Sequence, residues 1–470
     1  MREFPSNSTP SGQGSVAVRL PLDLFSRSAL AAFALALFAG AAAADGGGKS
    51  KGQTPPDNTP RVTSELYGSV ATRDGRQLHL MTDLGRVVIH TQDAGKIDYH
   101  VHLEADATQK NARQLLKNFQ VTTMVVSDGV SWKGRTYGRR LGGKLWVTVY
   151  VNVPKSYTLD ASTGGGNIEM DDLNGRATLI TSGGNITAGN IGGQARLETG
   201  GGHITVKNVA GGLIATTGGG HITTGSIGGN AALHTSGGHI RAASVDGVAK
   251  LDTGGGNVTL AHSGAELVAE TVGGQIEVGE AGGLVRAKTG GGGIRVVRLT
   301  GPTNLQSADG SIYLTQVDSA VKASTSAGGI TAWFVSPVKQ PSTCELQSAD
   351  GDIVVYIPRH LPVTIDAQIQ NGDEHRVVVD PAFPIKVSYD DSNGGARSVR
   401  AEGQINGGGE VLRLRTVAGN IHVALSDSSK QVLLYKQQME QLQQQMAQML
   451  QLQLRALENS QESGDAPPQP

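Results

Sequence analysis

Three histidines stand eighteen residues apart: His203, His221 and His239. On a fold that repeats at that interval they form one column of imidazoles. Neutral imidazole is a common ligand for transition metals, so the column is the first place to look for a metal. Asn185 and Asn257 occupy the same place one interval before and after. Asn and His beside glycine also hydrogen-bond along a strand ladder and tolerate unusual backbone angles. The column therefore reads as structural, and no metal ligand is assigned. Calcium-binding rolls also pack two nonapeptides into eighteen residues, with an Asp after the glycines. Here GGHIT and GGNIT place His or Asn there, while Asp309 and Asp350 sit in ADG turns, where Asp is an ordinary turn residue. Thr187, Thr205, Thr223 and Thr259 make another column, interrupted by Arg241, Glu277 and Arg295. It reads as a run of good strand formers, not as a flat ice-binding array. Polysaccharide-cleaving enzymes on β-helices need paired carboxylates. Glu169, Glu198, Asp252, Glu270 and Glu277 scatter instead, and the chain holds no G-x-S-x-G elbow, H-E-x-x-H pair or P-loop. No catalytic residue and no cofactor is assigned, and the protein is not expected to be an enzyme.

The elements that carry these columns follow from the repeat. Copies begin at Thr163, Thr181, Thr199, Thr217, Thr235, Thr253, Thr271 and Thr289, and the phase continues at Ser307 and Thr325. A looser copy starts at Ser348. A short fixed period of this kind predicts a solenoid. Five residues into each copy stands an apolar residue, such as Ile168, Ile186, Ile204, Ile222, Ile240 and Val258. Seven residues in, the position is apolar or small, as in Met170, Val206 and Leu260. A second inward pair falls at Ala177 and Leu179, Ala195 and Leu197, and their equivalents. Residues two apart share a strand face, so each coil has two short strands with their inward pairs. Glycines between them mark the corners, and the opening Thr is expected to point inward with its hydroxyl on a backbone group or the next Thr. Coils spaced by about 4.8 Å make a rod of roughly 45–50 Å. The fold class is all-β: a β-solenoid, parallel β-helix-like, with a short C-terminal helix.

The chain of 470 residues contains 66 glycines, carries a net charge of −1 and has only 4% aromatic residues. Periodic glycine with small aliphatic residues suits narrow coils. The charge balance argues against nucleic acid as a partner. At the N-terminus, Arg19 and Arg27 precede the apolar run Ala29–Gly40, and Ala42, Ala43 and Ala44 then fit a cleavage site. That reads as an export signal; a retained membrane anchor is the alternative. Cys344 is the single cysteine and has no partner for an intramolecular disulfide.

The expected boundaries are a signal peptide over 1–44, a disordered linker over 45–60, and an N-terminal β region or cap over 61–160. The solenoid runs over 161–354 and a C-terminal β cap over 355–427. Residues 428–459 form an amphipathic helix or coiled coil, and 460–470 a disordered tail. In the helix, Val432, Tyr435, Met439, Leu442, Met446 and Met449 follow heptad spacing. That seam predicts either self-association or packing on the chain's own domain.

VNVPKSYTLDASTGGGNIEMDDLNG, the TSGGNI and TGGGHI array and the closing GGGEVLRLRTVAGNIHVAL together resemble the bacterial putative-adhesin domains of unknown function. The resemblance spans about residues 85–425. It implies an envelope protein with a strand-rich start, a T-x-G-G-x-I array and a closing strand, and it carries over no catalytic or ligand residue. The expected function is an exported, non-catalytic, adhesin-like binding or structural protein. Its partner is expected to be a cell-surface glycan or protein, or another copy of itself. The alternatives are a glycan-active enzyme on the same scaffold, or an intracellular scaffold if the N-terminus is not a signal.

Overall fold

The computed structural model describes residues 60–138, 142–335, 343–390 and 397–426, together with Leu433, Gln437, Gln438, Glu440, Gln441, Gln444, Gln445 and Gln448 of a C-terminal helix. The chain divides into two units, Met1–Asn58 and Thr59–Pro470, and every described residue lies in the second. The signal-peptide reading, most of the linker, the seam residues Val432, Tyr435, Met439, Leu442, Met446 and Met449, and the tail lie outside the described residues.

The β-solenoid expected from the period is what the chain forms. Each repeat contributes one strand to each of two parallel sheets. In the first sheet, Ile204–Val206 lies between Ile186–Ala188 and Ile222–Ile227, with Ile204 level with Ile186 and Ile222. In the second, Ala195–Thr199 lies between Ala177–Thr181 and Leu213–Thr217. From Ile168 to Ile330 every step is one period, so like residues stack on like. Ile168, Ile186, Ile204, Ile222, Ile240 and Val258 are fully buried, as are Leu179, Leu197, Ala215 and Leu251. Burying a side chain of that size contributes about 1.5–3 kcal/mol. The contribution comes only once the next coil is in place, which makes the stack cooperative between neighbours.

A third inward column was not expected. Leu173, Ile191, Val209, Ile227 and Val245 stand ten residues into their repeats and are also buried. Isolated parallel bridges link Leu173 to Ile191, Ile191 to Val209 and Val209 to Ile227. They fall an odd number of residues after the first inward pair. Strict alternation therefore places them outside, until the chain turns a corner and points them in.

The solenoid also begins earlier than residue 161. Gln77–Thr82 and Arg86–Gln92 form a complete coil. Thr82 is level with Thr163, and Val87 with Ile168. Residues 93–157 are an insertion between this coil and the next, so the fixed period hides it. The insertion folds over the end of the stack. Leu145–Pro154 runs parallel to Arg86–Gln92 of the first coil, Lys96–Asp106 runs antiparallel to Leu145–Pro154, and Arg61–Ala71 closes that sheet antiparallel to Lys96–Asp106. Phe119–Val125 and Gly129–Thr136 extend the second sheet, and the helix Ala112–Asn118 buries Ala112, Leu115 and Leu116 beneath. Trp132 and Tyr157 fill the space where the narrow coils give way to this broader end.

At the other end, Ile421–Leu425 returns to pair with Ile353–Ile357, and Glu410–Thr416 with Cys344–Ser348. Thr416 is level with Ser348 and so resumes the threonine column.

Candidate binding surface

The opening threonines are buried, from fully covered at Thr235 to slightly accessible at Thr199. Each hydroxyl works twice. Thr235 Oγ1 donates to the Gly220 carbonyl of the coil before at 2.8 Å and accepts the Gly238 N–H of its own turn at 3.1 Å. Thr181, Thr199, Thr217, Thr253, Thr271 and Thr289 repeat the pattern. The bridge needs the turns to touch. A Cβ on Gly220 would lie 1.9 Å from the Gly202 carbonyl oxygen, closer than backbone atoms can approach. The threonine column is therefore a seam inside the rod and not a binding face.

The histidine column is likewise a ladder. The N–H of His221 donates to Nδ1 of His203 at 2.9 Å, and the N–H of His239 to Nδ1 of His221 at 2.9 Å. Asn257 donates to Nδ1 of His239, while Asn185 accepts from His203. The rings stack at 4.9 and 4.8 Å. Nδ1 is occupied as an acceptor, so the neutral tautomer carries its proton on Nε2. Burial first, and then nearby positive charge, holds His221 and His239 below the usual imidazole range. Parallel rings point their outer nitrogens the same way instead of converging on one ion. No cluster with metal-holding geometry occurs among the described residues.

The scattered acids stay scattered. Glu169 and Glu277 lie on the first sheet, and Glu198, Asp252 and Glu270 on the second. Glu169 pairs with Arg86, Glu198 with Arg196 at 2.6 Å, and Asp252 with His234 at 2.9 Å. Asp309 and Asp350 occupy turns whose backbones bond to the coil before. Thr187, Thr205 and Thr223 form one outward row on the first sheet, followed by Arg241 and Thr259.

A cluster of polar and aromatic side chains lies on the outer face of the N-terminal antiparallel strands, where the repeat does not reach. Tyr67, His100 and Tyr150 are directly opposite one another on three strands. Their rings stack at 4.5 and 5.6 Å. One row over stand Ser69, Asp98 and Asn152. The Ser69 hydroxyl donates to Asp98 at 2.7 Å and Lys96 lies 2.8 Å from it, and together they hold the Asp98 carboxyl below the usual range. These residues line a cavity of about 440 Å³. On the other side, Glu65 is shared between His100 and His102, and His102 reaches Glu104 at 2.9 Å. Burial opposes a charge on His102, but the two carboxylates outweigh it and raise its pKa. Arg61 pairs with Glu104 and lies 4.5 Å over the Trp146 ring. The alternation of Asp98, His100, His102 and Glu104 is visible in the sequence. Their partners lie on strands tens of residues away, and only the antiparallel register brings them together.

Farther along the same sheet, the C-terminal helix rests on the outer face. Thr315 Oγ1 donates to Gln438 Oε1 at 2.5 Å. Gln438, Gln441 and Gln445 line a groove of about 160 Å³ with Glu277, Val278, Arg295 and Val297. Val297 and Thr315 point outward from their strands and are nonetheless buried. At least at these positions the helix packs on its own solenoid.

No curated protein matches the chain. Similar solved structures include a putative cell adhesion protein from Clostridium sporogenes ATCC 15579, 8% identical, covering 78% of this chain and 100% of that one with a TM-score of 0.17. A putative adhesin from Parabacteroides distasonis ATCC 8503 is 10% identical over 63% of this chain and 97% of that one, with a TM-score of 0.22. A putative adhesin from Bacteroides fragilis NCTC 9343 is 14% identical over 58% and 97%, with a TM-score of 0.21. Residues 77–298 match the family model described as Toastrack DUF4097. The match begins at the first strand of the hidden coil, and the resemblance read from the repeats holds. Residues 77–298 of this chain belong to the Toastrack DUF4097 family.

Proposed function

We propose that this is an exported, non-catalytic solenoid of the cell envelope that binds a surface glycan through its N-terminal outer face. The observation that carries the reading is the row Ser69, Asp98 and Asn152 beside Tyr150, lining one cavity. A hydroxyl-rich ligand needs charged and amide acceptors held in place beside an aromatic side chain. Lys96 and Ser69 hold the Asp98 carboxylate in place, which makes it a fixed acceptor for sugar hydroxyls. The solenoid behind it is a rigid support, since its contacts are repeated coil by coil. Export rests on the apolar run Ala29–Gly40 and the alanines after it.

The test is a glycan-array screen of the purified protein beside Asn152→Ala and Tyr150→Ala. Both side chains are partly exposed, so the fold should persist. Expected is binding to a defined set of glycans, weakened roughly tenfold or more in each variant. Equal glycan binding by all three proteins, or none by the wild type, contradicts the reading.

A further inference from the structure

The two ends of the first sheet differ. At the C-terminal end it finishes in Val377–Val379, a strand of three residues. At the N-terminal end it finishes in Arg61–Ala71, eleven residues without a proline. Among the described residues that strand pairs on one side only, with Lys96–Asp106. The flanking bonds fix which groups face outward. Ala107 N–H donates to the Pro60 carbonyl, and Thr72 N–H to the Gly95 carbonyl. In an antiparallel ladder such residues alternate, so the even-numbered residues between them face the neighbour. The backbone N–H and C=O groups of Thr63, Glu65, Tyr67 and Ser69 point to the open edge. Natural proteins protect such edges because they are templates for another strand.

Two further observations concern the same edge. Val62, Leu66 and Val70 face inward but are only half-buried, because the core ends beneath them. Tyr67 ends the stack of three rings and is 70% exposed, with no ring beyond it. An added strand would cover the apolar stripe, satisfy the backbone and close the stack at once.

We propose that the edge strand Arg61–Ala71 pairs antiparallel with the same strand of a second copy, about a two-fold axis at Tyr67. The strand is self-complementary in that register. Tyr67 meets its own mate, joining the two ring stacks across the axis, and aromatic cross-strand pairs are stabilising. Glu65 falls opposite Ser69, and Thr63 opposite Ala71, so no like charges meet between residues 63 and 71; the one like-charge pair, Arg61 with Arg73, falls where Arg73 is already past the strand end. An axis at Glu65 would oppose two carboxylates. Leu66 falls opposite Gly68, where a larger side chain is already barred by the Tyr99 ring, 2.2 Å from a Cβ built there. The result is two solenoids joined end to end through one continuous sheet, and the glycan face appears once on each half. The edge strand shares Ser69 with the glycan face, but the pairing uses its outward backbone and the Tyr67 ring and does not depend on the glycan reading, whose Asp98, Tyr150 and Asn152 lie on other strands.

Analytical ultracentrifugation of the purified protein with its C-terminal tail present, compared with Tyr67→Pro, tests this. The Tyr67 N–H points to the edge, so proline there removes no bond to Lys96–Asp106 but blocks an added strand. Expected is a mass in Tyr67→Pro half that of the wild type, with an unchanged β-sheet circular dichroism spectrum. The second arm is Tyr67→Cys. Residues paired across that axis have Cα atoms about 5.5 Å apart, within disulfide reach. Mild oxidation should therefore yield a covalent dimer, and Cys344 is too buried to compete. A monomeric wild type, a folded Tyr67→Pro protein of unchanged mass, or failure of Tyr67→Cys to cross-link overturns the proposal. Loss of glycan binding alone leaves it standing.

Discussion

At the residue scale, the same side chain has opposite value at two sites. Thr235 is fully buried with both hydrogen-bonding roles filled. Thr224 is also fully buried, in the inward column otherwise held by Val206, Ala242 and Leu260, and its hydroxyl finds no partner. Thr235→Val should cost about 1–3 kcal/mol, because it strands a buried N–H. Thr224→Val should stabilise by about 1 kcal/mol, because it removes an unmatched polar group. Denaturant titration of the two variants checks both signs. Neighbouring glycines divide the same way. A Cβ at Gly220 meets backbone at 1.9 Å, whereas at Gly219 the nearest atom is 4.0 Å away. Gly220→Ala should destabilise by about 1–3 kcal/mol, and Gly219→Ala by much less.

The histidine ladder gives a pH dependence of known sign. In the unfolded chain His221 and His239 titrate near 6.5, and in the fold they titrate lower. The unfolded state therefore binds protons first as pH falls. Their contribution is fully present above pH 6.5 and is lost as pH drops through the lower folded values. His102 acts in the opposite sense: its contribution is present below 6.5 and lost as pH rises through its raised folded value. Replacing His221 and His239 with Asn, which accepts the same N–H at Asn185 and Asn257, should flatten the acid side of the melting-temperature profile. An unchanged acid slope would mean these rings do not titrate on unfolding.

At the element scale, legibility follows the period. The columns containing Ile222 and Thr217 could be read because every copy repeats them at one spacing. The column containing Ile191 and Val209 could not, because a corner breaks the alternation that strand reasoning relies on. The coil at Gln77–Gln92 was hidden by the insertion that follows it. The Tyr67, His100 and Tyr150 stack was illegible because register between distant antiparallel strands is set by the fold, not by any local pattern. For the C-terminal helix, heptad spacing alone left self-association and docking both open. Gln438 on Thr315 and the covered Val297 show docking at the described positions. Val297→Asp would put a charge under the helix, so limited proteolysis should cut the tail markedly faster while the solenoid core stays resistant. Equal cleavage rates would show that this contact does not hold the helix.

At the scale of the whole molecule, the described residues form a stack whose coils support one another and whose two ends carry the variation. Its central coils are close copies, and their outward residues pair up the ladder, as Lys322 does with Glu345 and Glu266 with Arg286. The unrepeated chemistry sits on the N-terminal strands. A surface glycan can reach that chemistry only if the chain leaves the cytoplasm. Cell fractionation with N-terminal sequencing of the mature protein therefore tests the account most directly. The account predicts a chain beginning at Asp45, after the alanines, in the envelope or the medium. A cytoplasmic chain that still begins at Met1 would contradict it.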